Sequence, residues 1–145
     1  METVAALVVA HSTLVHELSA QLIADHGVSM SEYEALLLLS RADERRMTRT
    51  DLAQQVRLSP SGITRMLNRL EGAGLVEKGS CATDARITYA VLTDAGVEKL
   101  KECAPDHMAA IDRQLGDRLS KQEIATLRDL LGRLFEDDLD CSPGE

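Results

Sequence analysis

The stretch TRTDLAQQVRLSPSGITRMLNRLEGAGLVEKGSCATDARITYAVL, residues 48–92, decides the fold of this 145-residue chain. It begins with two short predicted helices and a tight turn between them, at Arg57. Thr48 is the expected N-cap of the first helix, because its hydroxyl can accept a bond from a backbone N–H that has no helical partner. Ser59 is the N-cap of the second, and Pro60 takes its first position, where a missing N–H costs nothing. The order of these signals predicts a helix-turn-helix.

The second predicted helix has two distinct faces. Its apolar residues recur at the spacing of one helical stripe: Ile63, Met66, Leu67 and Leu70. Its other face carries hydroxyl, amide and guanidinium groups: Ser61, Thr64, Arg65, Asn68 and Arg69. Such groups suit the phosphate oxygens and base edges of a DNA major groove. The alternative is an ordinary amphipathic helix whose polar face is only solvated.

The segment after this helix predicts a β-hairpin. A short strand leads into the small polar residues 79–85, and residues 87–92 then alternate with the period of a strand. A helix-turn-helix followed directly by a hairpin is a winged helix. Arg86 stands where the loop enters the second strand, beside Asp84, which can orient its guanidinium. An arginine there can enter a minor groove, where the potential is most negative, although a surface ion pair of little energetic value is the simpler alternative.

Three segments together resemble the MarR family of bacterial transcription regulators: TRTDLAQQVRLSPSGITRMLNRLEGAGLVEKG at 48–79, the triplet DAR at 84–86, and LTDAG at 92–96. The resemblance covers about residues 28–135. It departs from the family at the wing, where a second basic residue is common inside Asp-x-Arg and this chain has Ala85. Ser80 and Cys81 also stand where charged residues are frequent, so minor-groove contact would depend on Arg86 with little help.

The predicted elements and the resemblance agree on a mainly α fold with a small β-hairpin wing. The expected architecture is a winged helix-turn-helix plus a helical dimerisation region formed by the N- and C-terminal helices. We expect a single domain over 1–145, in which 28–92 binds DNA while 1–27 and 93–140 form the dimerisation region. The resemblance further implies a homodimer and a small-molecule effector, often phenolic or anionic, bound between the dimerisation helices and the winged helix.

The flanking helices carry more apolar residues on one face than the core of one small domain can bury. In the predicted helix over 3–25, apolar residues recur every three or four positions, in a stripe broad enough for two partners. Capping boxes begin two other helices, Ser29 with Glu32 and Ser120 with Glu123. The surplus predicts a dimer interface built from both ends of the chain.

Two further segments are predicted from single features. The charged residues ADERRM, 42–47, are expected to form a loop. A long helix follows the wing with Thr93 as its N-cap, and Pro105 interrupts it. Because an interior proline removes one hydrogen bond and clashes with the preceding turn, we expect a kink near residues 101–104.

The net charge of −8 looks unfavourable for a nucleic-acid binder, but it is unevenly distributed. Residues 41–89 carry nine basic and six acidic side chains, or +3, and the rest of the chain carries −11. A basic module on an acidic body can still attract a polyanion locally. The acidic total also leaves open a function of another class, a winged helix that binds a protein and no DNA.

Other function classes have little support. No nucleophile–base arrangement, Gly-rich phosphate loop or paired carboxylates predict an enzyme or a cofactor site. The three cysteines indicate no disulfide framework, although Cys81 in the wing is a minor candidate for a redox switch. No apolar run is long enough to span a bilayer and the first residues lack a basic leader, so we expect a cytoplasmic protein. The histidines are dispersed and predict no metal centre: His11, His16, His26 and His107.

The candidate DNA-binding residues fall into three groups. Side chains expected to face base edges or phosphates are Ser61, Thr64, Arg65 and Asn68. Candidates for contact with the DNA backbone are Thr48, Arg49, Thr50, Arg57, Ser59 and Arg69. Arg86 is expected in the minor groove with Asp84 orienting it, on double-stranded DNA whose two half-sites lie ~10 bp apart. The candidates for the implied effector cleft are His11, Tyr33 and Arg41.

Overall fold

The computed structural model describes residues 1–80 and 86–134. The chain forms two compact units, the first over Met1–His107 and the second from Met108 onward. The described residues form six α-helices and a small antiparallel sheet, which confirms the mainly α fold class. The expected division into one DNA-binding and one dimerisation region stays a prediction.

The helices occupy the segments that the capping signals mark. They are α1 Glu2–His26, α2 Met30–Arg41, α3 Arg49–Gln55, α4 Pro60–Gly72, α5 Asp94–Gly116 and α6 Lys121–Gly132. The strands are β1 Arg46–Thr48, β2 Val76–Ser80 and β3 Thr88–Leu92. A short 3₁₀ turn, Asp43–Arg45, precedes β1.

The helix-turn-helix forms as its caps predict. The Asp51 N–H donates to Thr48 Oγ1 at 3.1 Å at the start of α3, and the Gly62 N–H donates to Ser59 Oγ at 3.2 Å at the start of α4. Gly74 follows α4 with φ of 72°, in the left-handed region that a residue without Cβ enters at no steric cost. Each boundary is therefore produced by residues that lie within four positions of it.

The sheet has three strands, in the order β1-β3-β2. Hairpin strands β2 and β3 pair antiparallel, with Val76 opposite Leu92. The expectation of a loop over 42–47 is wrong at its end, because β1 pairs with the other edge of β3 and sets Met47 opposite Ala90. Three residues are too few to show strand alternation, and the partner strand lies about forty positions away along the chain, so no local signal marks β1.

The start of α5 is packed tightly against the hairpin. The Gly96 N–H donates to Thr93 Oγ1 at 3.0 Å, and that hydroxyl donates to the carbonyl of Gly74 at 2.7 Å. A Cβ on Gly96 would lie 2.3 Å from the carbonyl oxygen of Leu75. The glycine of the segment LTDAG thus allows the helix to approach the strand backbone and positions the wing.

One apolar core holds the winged helix together. Its fully buried side chains come from α1, α2, α3, α4 and α5: Leu22, Leu36, Leu39, Leu52, Leu67, Leu70 and Cys103. Leu37 and Leu38 are partly buried against the same core. Helix α2 is therefore buried on more than one side, as its run of four leucines predicts.

Helix α1 buries only its C-terminal half in this unit. Leu18 and Leu22 are buried, whereas Val4, Val8 and Val15 are exposed. By length and composition α1 would also be apolar enough to cross a bilayer, which corrects the statement that no segment is long enough. One helix of this kind does not establish a membrane span, because the core helix of a soluble protein and a signal sequence pass the same test.

In the second unit, Ser120 and Glu123 form the predicted capping box of α6. Apolar residues of α6 remain exposed at Leu127 and Leu130. Helix α5 continues as one helix from Asp94 to Gly116 and includes Pro105.

Candidate nucleic-acid interface

Helix α4 separates its two faces as predicted. The four residues of the apolar stripe are buried in the core: Ile63, Met66, Leu67 and Leu70. The five polar candidates are all exposed: Ser61, Thr64, Arg65, Asn68 and Arg69. The core therefore fixes which side of the helix faces outward.

The hydroxyl of Thr64 is already oriented by two neighbours. Its Oγ1 donates to the carbonyl of Pro60 at 2.8 Å and accepts a bond from Arg49 Nη2 at 3.0 Å. A threonine hydroxyl has one proton and two lone pairs, so the remaining capacity of Thr64 is to accept. The hydrogen bond from Arg49 thus links α3 to the start of α4, and the Thr64 hydroxyl can still accept a further bond on the exposed face.

Two other hydroxyls are engaged in the helix caps. Thr48 Oγ1 donates to Asp51 Oδ2 at 2.6 Å while it accepts the Asp51 N–H. Ser59 Oγ accepts the Gly62 N–H and lies 3.2 Å from Ser61 Oγ. Both residues lie at helix starts as expected, and each hydroxyl caps its own helix.

The turn between α3 and α4 holds Arg57 in the left-handed region, with φ of 54°. This conformation costs a residue with a Cβ roughly 1–2 kcal/mol relative to ordinary backbone. The side chain of Arg57 is exposed and next to the start of α4. A long cation therefore occupies a turn position that glycine would fill with less strain.

Arg69 differs from the other polar residues of α4, because a buried carboxylate of α2 holds it. Arg69 Nε lies 3.2 Å from Glu32 Oε1, and Arg69 Nη2 donates to Glu32 Oε2 at 3.4 Å. Arg65, one turn earlier, borders a cleft of about 290 Å³ beside this pair. The interface thus includes a link from α4 to the N-terminus of α2 that the sequence analysis did not identify.

The wing is described on both of its strands. Lys78 of β2 pairs with Glu71 of α4 at 3.2 Å. Arg86 is exposed just before β3. Asp84 and Ala85 lie outside the described residues, so the orientation of Arg86 by Asp84 stays a prediction.

Basic residues before the helix-turn-helix are occupied by partners in the fold. Arg45 Nη1 donates to Asp94 Oδ1 at 2.9 Å. Arg46 pairs with Glu44, and its guanidinium carbon lies 5.0 Å from the centre of the Tyr89 ring. Arg45 and Arg46 therefore contribute to the packing of β1 as well as to local positive charge.

The three effector candidates have different surroundings. Tyr33 is buried, its ring centre lies 4.6 Å from that of His107, and burial raises the pKa of its phenol, with a smaller opposing effect from Arg41. Arg41 and His11 are exposed on α2 and α1. The geometry brings Tyr33 and Arg41 within electrostatic range of each other and does not link either one to His11.

Two more groups were not identified from sequence. His26 lies between two carboxylates of α5, 3.4 Å from Glu102 and 3.1 Å from Asp106. Lys99 and then His26 lower the pKa of Glu102 by hydrogen bonding. His107 is 5% exposed, its Nδ1 has no partner among the described residues, and burial lowers its pKa. Glu102 and Asp106 are four positions apart, which places both carboxylates on one helical face. This spacing is the sequence signal that could have identified the cluster around His26.

The geometry defines a winged helix-turn-helix protein in which α4 has an exposed polar face. A model of the MarR family matches residues 26–87. The uncharacterized HTH-type transcriptional regulator YdgJ of Bacillus subtilis is 33% identical over 108 residues, which cover 74% of this chain and 64% of that relative. The match thus spans just under two thirds of that relative's length.

Solved structures with the same fold are similar in sequence as well. AbsC, a MarR family transcriptional regulator from Streptomyces coelicolor, superposes with a TM-score of 0.79 at 31% identity, covering 91% of this chain and 88% of AbsC. Sco3205, a MarR family regulator from the same organism solved in complex with DNA, gives 0.82 at 30% identity, covering 91% and 82%. The chain belongs to the MarR family of transcriptional regulators.

Proposed function

We propose that this regulator is a cytoplasmic homodimer that binds a pseudo-palindromic operator as a repressor and releases it in response to a small molecule. The observation that carries the DNA-binding part is α4, whose buried stripe leaves five polar side chains on one exposed face. Repression follows from steric exclusion, because two winged helices on adjacent turns cover a site that polymerase would need.

The exposed apolar residues support the dimer. Val4, Val8 and Val15 of α1 are exposed in the first unit, and Leu127 and Leu130 of α6 in the second. Apolar surface of this extent is favourable to bury against a second copy. Two-fold symmetry then presents two α4 helices to successive major grooves, ~10 bp apart.

The contacts differ in kind along the interface. Arg65 can form a bidentate pair with the O6 and N7 acceptors of guanine, and Thr64 can accept from the amino group of cytosine or adenine. Asn68 and Ser61 complete the base-facing set, while Arg49, Thr50, Arg57 and the capped ends at Thr48 and Ser59 lie toward phosphates. The strained turn at Arg57 supports its role, since strain that persists in a fold is often kept for function. Arg86 enters the minor groove with Asp84 beside it.

The effector part is supported by Tyr33 and Arg41. A phenolic or carboxylate ligand would pair with the exposed guanidinium of Arg41, on the same helix as the buried ring of Tyr33. Such a ligand releases DNA only if it binds the DNA-incompetent form more tightly than the competent one.

The test begins with selection of DNA from a random-sequence library by the full-length protein. Arg65→Ala and Arg86→Ala are expected to weaken binding of the selected duplex in fluorescence anisotropy, with thermal unfolding nearly unchanged. Lys101→Ala is the matched control, since it removes one exposed positive charge on α5, where Lys101 pairs with Glu98 at 2.8 Å. Full affinity in both arginine variants would overturn the assignment, and selection of no sequence at all would favour a protein-binding winged helix instead.

A further inference from the structure

Glu32 is a buried charged residue at the start of α2, with only 3% of its surface exposed. Its carboxylate accepts two hydrogen bonds and makes one further ion-pair contact. The Ser29 N–H donates to Oε2 at 2.8 Å, Arg69 Nη2 donates to Oε2 at 3.4 Å, and Arg69 Nε lies 3.2 Å from Oε1. The bond from Ser29 closes the capping box of α2, and the two contacts with Arg69 join α2 to α4.

The pair with Arg69 constrains direction as well as distance. A planar guanidinium that meets both oxygens of a carboxylate can do so in one orientation, unlike a single-point contact. The Arg69 side chain is nevertheless 67% exposed, so its remaining N–H groups face outward on the polar side of α4. Glu32 therefore orients the Arg69 guanidinium from the protein side, and the remaining N–H groups of Arg69 are accessible to a ligand.

The neighbouring cleft shows why this orientation needs a partner. A space of about 290 Å³, bordered by Ser31, Arg65 and Met66, lies directly beside the pair. A long arginine side chain with this much free volume has several rotamers open to it, at a cost in entropy when one is selected. The carboxylate selects one of them.

We propose that Glu32 is a positioning residue for operator recognition, which acts through Arg69 and touches no DNA itself. This inference rests on the proposed function and names a residue that sets its specificity. Glu32 also neutralises the charge of Arg69 locally. The pair therefore attracts phosphate less strongly than a free arginine would, but it holds the guanidinium in a defined orientation. Sequence preference and non-specific affinity should therefore respond to Glu32 in opposite directions.

The variant Glu32→Gln isolates this role. A glutamine at the third position keeps the capping box, because its amide oxygen still accepts the Ser29 N–H, but it loses the charge that holds Arg69. Affinity for the selected duplex is expected to fall about tenfold, because Arg69, a candidate for contact with the DNA backbone, then no longer fixes the register of α4 and about one good base contact is lost. Affinity for a shuffled duplex of equal composition is expected to stay equal or rise, with a salt slope steeper by up to ~0.9, because one arginine charge is released.

Glu123→Gln is the matched control. It makes the same change in the capping box of α6, where the Ser120 N–H donates to Glu123 Oε2 at the same distance of 2.8 Å and, among the ion pairs of the described residues, none involves Glu123. Both affinities should equal those of the wild type. Arg69→Lys, which keeps the charge but not the planar pair, should lower the specificity ratio as Glu32→Gln does, and it serves as the second variant if Glu32→Gln unfolds.

The outcomes separate the possible roles. A higher or equal non-specific affinity together with a lower operator affinity supports the proposal. An equal loss of both affinities would mean that Glu32 has only a structural role. Unchanged affinities would mean that Glu32 has no role in operator recognition. Either result overturns the inference, while operator binding by the wild type stands. A wild-type protein that binds selected and shuffled duplexes equally overturns the proposed function, and the inference with it.

Discussion

Helices α2 and α6 begin with the same kind of capping box, in which the two bonds to backbone N–H groups have equal lengths, and in α6 the Ser120 hydroxyl also donates to Glu123 Oε2 at 2.8 Å. In each, the serine N–H donates to the glutamate at 2.8 Å and the glutamate N–H donates to the serine hydroxyl at 3.3 Å. The glutamate of α2 is buried and also binds Arg69, whereas the glutamate of α6 is exposed. A local motif therefore determines where a helix begins, and its tertiary surroundings determine whether the same carboxylate does anything more.

The residues flanking each box account for the difference. Val28 before Ser29 and Tyr33 after Glu32 are both buried, as a hydrophobic staple requires. The corresponding residues of α6, Leu119 and Ile124, are only half-buried. The start of α2 is thus enclosed by apolar side chains, which makes its carboxylate costly to leave unpaired.

The largest expected difference between the boxes comes from removing each carboxylate. Glu32→Ala deletes the cap and leaves a cavity at a buried site. It should lower the free energy of unfolding by about 2–3 kcal/mol. The loss is smaller than for a fully buried ion pair, because the released Arg69 side chain can turn to solvent. Glu123→Ala should lower it by much less, because water replaces the lost bonds. Urea unfolding followed by circular dichroism measures both, and equal losses would show that burial adds nothing to the first box.

Removing the serine hydroxyls should make the two boxes alike. Ser29→Ala and Ser120→Ala each delete the acceptor for one backbone N–H, which costs ~1 kcal/mol at an ordinary helix start. Ser29 Oγ and Ser120 Oγ lie at the same distance from the N–H that they cap. The Ser120 hydroxyl also donates to Glu123 Oε2 at 2.8 Å, but water replaces that bond at an exposed site, so we expect losses that agree within experimental error. A much larger loss for Ser29→Ala would mean that the hydroxyl also supports the Glu32–Arg69 pair.

The capping boxes also indicate which features could be predicted from sequence. Helix starts at Thr48, Ser29, Ser59 and Ser120 were predicted correctly, because the groups that satisfy each cap lie three positions apart. The stripe of α4 and the hairpin were confirmed for the same reason, since their periodicity is local. The polar face of α4 was thus found, but its DNA contacts stay predictions.

Features that depend on distant partners were missed. Glu32 and Arg69 are 37 positions apart, so the sequence predicts Glu32 only as a cap and Arg69 only as a candidate for contact with the DNA backbone. Strand β1 was assigned to a loop because its pairing with β3 is not visible in its own three residues. His26 is only one of four dispersed histidines in the sequence, although Glu102 and Asp106 approach it from α5.

The smallest expected effect concerns pH and a second buried polar residue. Burial lowers the pKa of His107 below 6.5, and its Nδ1 has no partner among the described residues, in contrast to the fully bonded Glu32. As pH falls, the unfolded chain takes up this proton first, so stability should decline from pH 6.5 down to the folded-state pKa and then level off. His107→Gln, which is neutral throughout, should remove that decline.

The exposed capping box supplies the control for this titration. The Ser120 N–H and hydroxyl lower the pKa of Glu123, so the stability it contributes is present above pH 4.5 and is lost only as pH falls below it. Urea midpoints between pH 7.5 and 5.5 should therefore shift in the wild type and in Glu123→Gln, but not in His107→Gln. A decline that persists in His107→Gln would show that a group other than His107 takes up the proton.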